Sequence, residues 1–272
     1  MKKISVLMGI YNCAETLEEA IDSIINQTYT NWELILCDDG SIDRTLDIAQ
    51  QYKTKYPDKI ILLTNSSNLG LNRTLNHCLK YATGDYIARM DGDDISLPDR
   101  FEKEVEILNK HPELAIISSP MIYFDENGDW GVGKAKEYPE KEDFVNGTPF
   151  CHAPCMVRGE AYRAVGGYST DSKTMRAEDY NLWFRMYALG YRGYNLQVPY
   201  YKMRDDINAY HRRKFRYCVN EAYVRFTGYR LLKLSPKYYI YALRPIIVGL
   251  MPKPLYMYLH HKTRKPLEVT GD

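Results

Sequence analysis

The 272-residue chain is short of several things, and each shortage excludes a class of protein. No run approaches the roughly 18–20 consecutive apolar residues that a spanning helix needs, so no transmembrane segment is expected. Met1-Lys2-Lys3 leads straight into Ile4-Ser5-Val6-Leu7-Met8, too short an apolar run for the core of a secretion signal. Six cysteines (Cys13, Cys37, Cys78, Cys151, Cys155 and Cys218) are scattered along the chain, which predicts reduced thiols and a cytoplasmic setting. Cys151-His152-Ala153-Pro154-Cys155 lacks a second ligand pair at zinc spacing and is not read as a metal site. Low-complexity runs are missing, and so is any recognisable nucleic-acid module, so no nucleic-acid partner is expected. Net charge is nearly missing too, at +1. That balance hides a split: residues 201–272 carry 15 Lys+Arg against 5 Asp+Glu, and residues 1–200 carry 21 against 30. An acidic body with a basic tail holding ten tyrosines predicts that the two parts meet different partners.

What is present is an alternation of strand-like and helix-like segments. Ile4 to Ile10 is a continuous apolar run ending at Tyr11-Asn12, as expected of a strand buried on both faces. Glu15 to Asn26 places Leu17, Ala20, Ile21, Ile24 and Ile25 on one helical face. Trp32 to Cys37 reads as a second strand running into Asp38-Asp39-Gly40-Ser41, and Asp43 as the cap of a helix through Tyr52. Lys59 to Thr64 is a third strand, Leu71 to Tyr81 a third helix, and Asp85-Tyr86-Ile87-Ala88 a fourth strand. Pro98 suits the first turn of the helix that follows. Leu114 to Phe124 reads as one further strand, and Asp125-Glu126-Asn127-Gly128 as a hairpin turn. The alternation predicts an α/β fold with a mostly parallel sheet flanked by helices.

The fourth strand delivers Arg89-Met90-Asp91-Gly92-Asp93-Asp94. Three carboxylates within four residues at a strand-to-helix turn repel one another unless a cation lies between them, and oxygen ligands suit Mg²⁺ or Mn²⁺. In parallel sheets ligands bind beyond the carboxyl ends of the strands, where Tyr11-Asn12, Asp38 to Ser41 and Asp91 to Asp94 all emerge. The usual phosphate cradles are missing. No G-x-G-x-x-G follows the first strand, and the Gly128-x4-Gly133-Lys134 near-match to a P-loop continues with Ala135 in place of Ser or Thr. A site that holds nucleotide phosphates without a glycine-rich loop can take its positive charge from a cation on Asp93 or Asp94. Asp39 can accept an N–H from a base edge, and Tyr11 can stack on the ring.

With these segments in this order, the chain resembles the family 2 glycosyltransferases of the GT-A fold, of the bacterial surface and capsular polysaccharide type. The resemblance rests on Ile4 to Asn12, Gln27-Thr28, Trp32 to Ser41, Asn68-Leu69-Gly70, Gly84 to Ile87, Met90 to Asp94, Pro98-Asp99-Arg100 and Glu178-Asp179. It covers roughly residues 1 to 200, with Gly9 and Ile42 standing where the family often has other residues. It implies a Rossmann-like domain over 1–200, with residues 1–110 as the nucleotide-sugar half and 111–200 as the acceptor half. A nucleotide-sugar donor, chiefly a UDP-sugar, a divalent metal (Mn²⁺ or Mg²⁺) and inversion at the anomeric carbon are implied with it. Gly9, Tyr11, Asp38 and Asp39 would line the base pocket. Asp91 and Asp94 would meet ribose and diphosphate, and Asp93 would hold the metal. Asp179 would be the general base that takes the acceptor hydroxyl proton, with Glu178 positioning the acceptor or its loop. His152 would lie near the donor or acceptor, although a core or capping histidine fits its residue type equally well.

The tail, 201–272, reads as a helical, basic and aromatic extension. A helix-like stretch from His211 to about Leu234 is followed by short apolar segments broken by Pro236, Pro245, Pro252 and Pro254, with a basic end from His260 to Lys265. Such segments suit attachment in a membrane interface, here the inner face of the plasma membrane, where a lipid-linked glycan acceptor would be found. An ordinary C-terminal bundle with a basic surface is the alternative. Two other functions stay open on sequence grounds. One is a sugar-nucleotide nucleotidyltransferase, which would need a glycine-rich basic loop after the first strand where this chain has Gly9-Ile10-Tyr11-Asn12. The other is a catalytically silent, membrane-associated scaffold, against which the intact Asp39, Asp91, Asp93 and Asp179 speak.

Overall fold

A computed structural model describes residues 1–205, 214–251 and the short strand at 265–266. The elements run β1 (Ile4–Ile10), α1 (Leu17–Ile25), β2 (Trp32–Asp38), α2 (Thr45–Lys55), β3 (Ile60–Thr64), α3 (Leu71–Leu79), β4 (Tyr86–Asp91), β5 (Ile95–Ser96) and α4 (Arg100–Lys110). They continue as β6 (Leu114–Ser118), β7 (Ile122–Asp125), β8 (Gly128–Val132), β9 (Met156–Arg158), α5 (Gly159–Val165), α6 (Glu178–Ala188), β10 (Arg192–Asn195) and β11 (Tyr201–Arg204). After β11 come α7 (Phe215–Leu231), a 3₁₀ segment (Pro236–Leu243), α8 (Arg244–Gly249) and β12 (Lys265–Pro266).

Seven strands form the central sheet in the order β10-β6-β9-β4-β1-β2-β3. The β1, β2, β3 and β4 ladders are parallel, and β9 alone runs against its neighbours β4 and β6. Residues of β1 and β2 alternate between the two faces, as the period of a strand requires. Val6, Met8, Leu34 and Leu36 pack with α1, α2 and α4 on one side. Leu7, Ile35 and Cys37 pack with α3 and α6 on the other. This is the expected α/β layer arrangement.

The run read as one strand from Leu114 to Phe124 is two. Leu114–Ser118 lies in the central sheet, whereas Ile122–Asp125 joins a second sheet ordered β12-β8-β7-β11-β5. Pro120, with no N–H to donate, falls at the break. The hairpin turn expected before Gly128 is present between β7 and β8, and Gly128 takes the positive φ of 110° that the turn needs. The P-loop near-match is therefore strand and loop. Asp43 does not occupy the N-cap position, which belongs to Arg44. Its Oδ1 instead accepts from the Thr45 N–H at 3.0 Å.

Beyond residue 200 the chain does not begin with a helix. Residues 201–204 form β11, paired with β5 and β7, and the Tyr201 ring is wholly buried. Val224, Tyr229, Leu232, Leu234 and Ala242 from the following segments belong to the same core as α6. The readings placed on His211 to Arg213 and on Pro252 to Arg264 lie outside the described residues. No described helix is long and apolar enough to cross a membrane.

Candidate active site

The register of three strands assembles the site. Gly9 on β1 lies opposite Cys37 on β2 and Asp91 on β4, and Ile10 lies opposite Asp38. The acidic ends of β2 and β4 therefore flank the end of β1. Gly9 has little room, since a Cβ there would sit 3.1 Å from Thr74 Cγ2 on α3. Beyond it opens a cleft of about 560 Å³, lined by Tyr11, Asp39, residues 68–70 and the first turn of α3, residues between 170 and 176, Glu178 at the start of α6, and Tyr217.

The two carboxylates after β2 have different work. Asp38 is buried, and its Oδ2 accepts from the Gly40 and Ser41 N–H groups at 3.1 Å each, so it folds the turn. Its Oδ1 is buried without a hydrogen-bond partner among the described residues. Asp39 reaches the cleft and holds its far wall. Oδ1 accepts from Asn65 Nδ2 at 2.8 Å and the Leu69 N–H at 2.9 Å, and Oδ2 accepts from the Gly70 N–H at 2.8 Å. A carboxylate has room for about four hydrogen bonds, and these use three of them. Gly40, at φ 75°, must be glycine, because a Cβ would lie 2.9 Å from the Ser67 carbonyl carbon.

At the end of β4, one carboxylate oxygen from each of Asp91, Asp93 and Asp94 lies within 4.8 Å of the others. Asp91 is taken by a bidentate ion pair with the buried Arg89 guanidinium. Burial acts to lower the Arg89 pKa, but Asp91 together with Tyr201 and Tyr168 outweighs it, so Arg89 stays charged. Asp94 is buried, and its Oδ1 accepts from the Arg204 N–H at 2.9 Å. Burial, then Asp91 and Asp93, push its carboxyl up to about 8. Asp93 is the exposed member of the three, yet its carboxyl is also raised by loss of water in the turn and then by Asp91. Arg89 answers the charge of Asp91, whereas Asp93 and Asp94 sit where charge is disfavoured, and three oxygen donors so placed fit a divalent cation, with Asp93 the readiest ligand.

Asp179 and Glu178 open α6, where the helix dipole favours negative charge. Burial, then Glu178, nevertheless push the Asp179 carboxyl up to about 6. Glu178 lines the cleft. His152 Nε2 lies 2.8 Å from the Tyr168 hydroxyl, with its ring edge-on to Tyr168 and Trp183. Burial, then Arg89, hold its pKa well below the ordinary value, so it is a neutral ring. Arg89 is thus the hub: it pairs with Asp91 and acts electrostatically on both His152 and Asp179.

Several contributors were given no role from sequence. Arg89 stands two residues before Asp91 along a strand, which puts both on one face, a usable signal. Arg204 donates Nε to the Asp93 carbonyl at 3.0 Å and Nη2 to Glu19 Oε2 at 2.6 Å, and the Tyr201 hydroxyl accepts from the Asp91 N–H at 3.2 Å. These lie more than 100 residues away and carry no local signal. Arg100 sits beneath the turn, donating Nη2 to the Arg89 and Cys155 carbonyls at 3.1 and 3.3 Å. Tyr217 and Arg176 line the cleft, the latter at φ 66°.

The fold and the acidic ends of β2, β4 and α6 define a nucleotide-sugar-type transferase site. The family model for Glycosyl transferase family 2 matches residues 5–166, and that for Glycosyl transferase family group 2 matches residues 86–261. The chain belongs to glycosyl transferase family 2 and is a glycosyltransferase. It is 48% identical over 262 residues to EpsE of Bacillus subtilis (strain 168), whose glycosyltransferase name is provisional, covering 96% of this chain and 94% of that one. It is 30% identical to an Escherichia coli UDP-Gal:alpha-D-GlcNAc-diphosphoundecaprenol beta-1,3-galactosyltransferase, over 96% of each chain. Among solved structures it is similar to Staphylococcus aureus TarS 1-349 in complex with UDP-GlcNAc, with a TM-score of 0.68, 18% identity, and 96% and 88% of the two chains covered. It is also similar to the Pyrobaculum calidifontis mannosyltransferase PcManGT in complex with GDP-Man and Mn²⁺, at TM-score 0.64, 19% identity, and 96% and 79% covered. These likenesses establish the GT-A fold.

Proposed function

We propose that the enzyme moves a sugar from a nucleotide diphosphate donor, a UDP-sugar, to a hydroxyl of a lipid-linked glycan at the membrane surface, with inversion. The observation that carries this reading is the placement of Asp179. It stands next to Glu178, which lines the cleft, at the start of α6, and its carboxyl, pushed up to about 6, feels the charge of the Arg89 guanidinium that pairs with Asp91. The UDP-Gal donor and diphosphoundecaprenol acceptor in the name of the Escherichia coli relative, and the UDP-GlcNAc complex of TarS, support the choice of substrates.

Tyr11 and Asp39 receive the base of the donor. Asp93, with Asp91 and Asp94 beside it, would hold Mn²⁺ or Mg²⁺, as the Mn²⁺ complex of the mannosyltransferase suggests. Such an ion supplies neutralisation of the diphosphate in the bound donor and in the departing nucleotide. Asp179 accepts the acceptor hydroxyl proton as that oxygen bonds to the anomeric carbon. The bond from that carbon to the donor phosphate oxygen breaks, and its electron pair leaves with the nucleoside diphosphate. A base poised about one unit below neutral pH is mostly ionised yet still basic enough to accept the proton. Neutral His152 and Glu178 shape the acceptor side.

Asp179→Asn tests the reading, because it keeps shape and loses basicity. Transfer at saturating substrates should fall by about 10²-fold or more, with donor affinity near wild type. The wild-type rate should rise with pH through about 6 and level off above it. Weakened donor binding with turnover intact would assign Asp179 to the donor site instead.

A further inference from the structure

Two rows of exposed apolar side chains lie outside the site. Phe215, Val219, Tyr223 and Phe226 on α7 are exposed and recur at intervals of four, four and three, which is one face of a helix. Ile240, Leu243, Ile247 and Leu250 recur at three, four and three through the 3₁₀ segment and α8, with Ile240 and Leu250 each 70% exposed. Cys218, Ala222, Val224 and Tyr229 of α7 are buried instead.

The rows run side by side in opposite directions. The Phe226 ring meets Tyr239 edge-on at 5.3 Å, next to Ile240. At the other end the Gly249 backbone is pressed against α7, where a Cβ would lie 2.7 Å from Cys218 Sγ and 3.2 Å from Phe215 Cδ2. The result is a two-element apolar platform. Its charge is one-sided: residues 214–251 expose Lys214, Arg216, Arg230, Lys233, Lys237 and Arg244, while Arg225 is buried. The only carboxylate in that segment, Glu221, is paired with Arg225. The platform also ends at the cleft, because Tyr217 on the first turn of α7 is part of the cleft wall.

We infer that this platform is the face by which the enzyme docks on a bilayer bearing anionic lipid, its apolar rows entering the interface and its Lys and Arg side chains meeting the headgroups. Exposed apolar rows rimmed by basic residues, with no described helix long and apolar enough to span, match the physics of an interfacial helix. The inference rests on the lipid-linked acceptor proposed above and adds where that acceptor arrives. With Tyr217 at the junction, a glycan anchored in the bilayer reaches the cleft without its lipid leaving the membrane.

The test is sedimentation of the full chain with phosphatidylcholine vesicles, with and without phosphatidylglycerol, for wild type, Val219→Glu/Ile247→Glu and Val198→Glu. Val198 is exposed but lies off the platform. Binding should require the anionic lipid, weaken as salt rises, and drop about tenfold or more in the double variant, with Val198→Glu unchanged. Melting temperature and metal-dependent donor hydrolysis in solution should be the same in all three proteins. A folded double variant that still binds like wild type would overturn the docking face, as would equal loss in Val198→Glu. Loss of binding with hydrolysis intact supports it. Absence of hydrolysis in the wild type would count against the transferase reading while leaving the vesicle result to stand on its own.

Discussion

A carboxylate kept ionised where its neighbours disfavour charge weakens the fold that holds it, and this gives Asp179 a signature in stability as well as in rate. Its folded pKa of about 6 lies above the ordinary aspartate value of 3.8, so the folded state binds the proton more tightly than the unfolded chain. The contribution of Asp179 to stability is therefore full below about pH 4 and is lost as pH rises through 6. Asp179→Asn should be more stable than wild type at pH 8 by roughly 1–3 kcal/mol, allowing for partial exposure, and the gap should close by pH 4. Melting temperatures measured across that range check it; a gap that widened on acidification would refute the assignment. Asp93 makes the complementary case. Mn²⁺ should raise the melting temperature of the wild type and leave Asp93→Asn unmoved, since a neutral amide is a poor substitute for a hard anionic ligand. At this scale the carboxylates were legible in the sequence because they cluster in short segments after strands. Their cations were not, apart from the two-residue spacing of Arg89 and Asp91. Arg204 and Tyr201 arrive from another strand, and only the fold brings them to Asp94 and Asp91.

Helices and strands of the first half could be read from periodicity, because each presents one face to a core layer and is bounded by turn residues. Leu114 to Phe124 forms two strands because Ser119 and Pro120 interrupt a segment that is apolar on both sides of them. The basic, aromatic character of 214–243 hid how much of α7 faces inward. Gly228 shows why that inward face matters. It lies in α7 where the helix crosses the Phe184 ring of α6, and a Cβ there would sit 2.4 Å from Phe184 Cγ. On an exposed helix Gly→Ala would gain about 1 kcal/mol of propensity. Here the overlap with a buried ring outweighs that gain, so Gly228→Ala should destabilise by roughly 1–3 kcal/mol. Denaturant unfolding decides the sign, and a stabilised variant would mean that α7 rides loosely on α6.

The whole molecule is organised by a sheet with a core on each face, and the tail is a structural layer of one of those cores. Charge composition separates residues 1–200 from 201–272, but Val224, Tyr229, Leu232, Leu234 and Ala242 close the same apolar layer as Trp183 and Phe184. β11 meanwhile places Arg204 on Asp94 and Asp93. A chain ending after Tyr201 would lose Arg204 and uncover that layer. Each large apolar side chain so exposed forfeits about 1.5–3 kcal/mol, and three or four of them approach the total stability of an ordinary domain. Truncation after Tyr201 should therefore give a protein that is insoluble or lacks a cooperative melt. A chain ending after Met251 keeps α7, α8 and Arg204, and should melt cooperatively and hydrolyse donor. Circular dichroism melts and donor hydrolysis on the two truncations measure this directly. If the shorter protein melts as sharply as the full chain and hydrolyses donor at the same rate, the tail is a detachable domain, and the core described here does not need it.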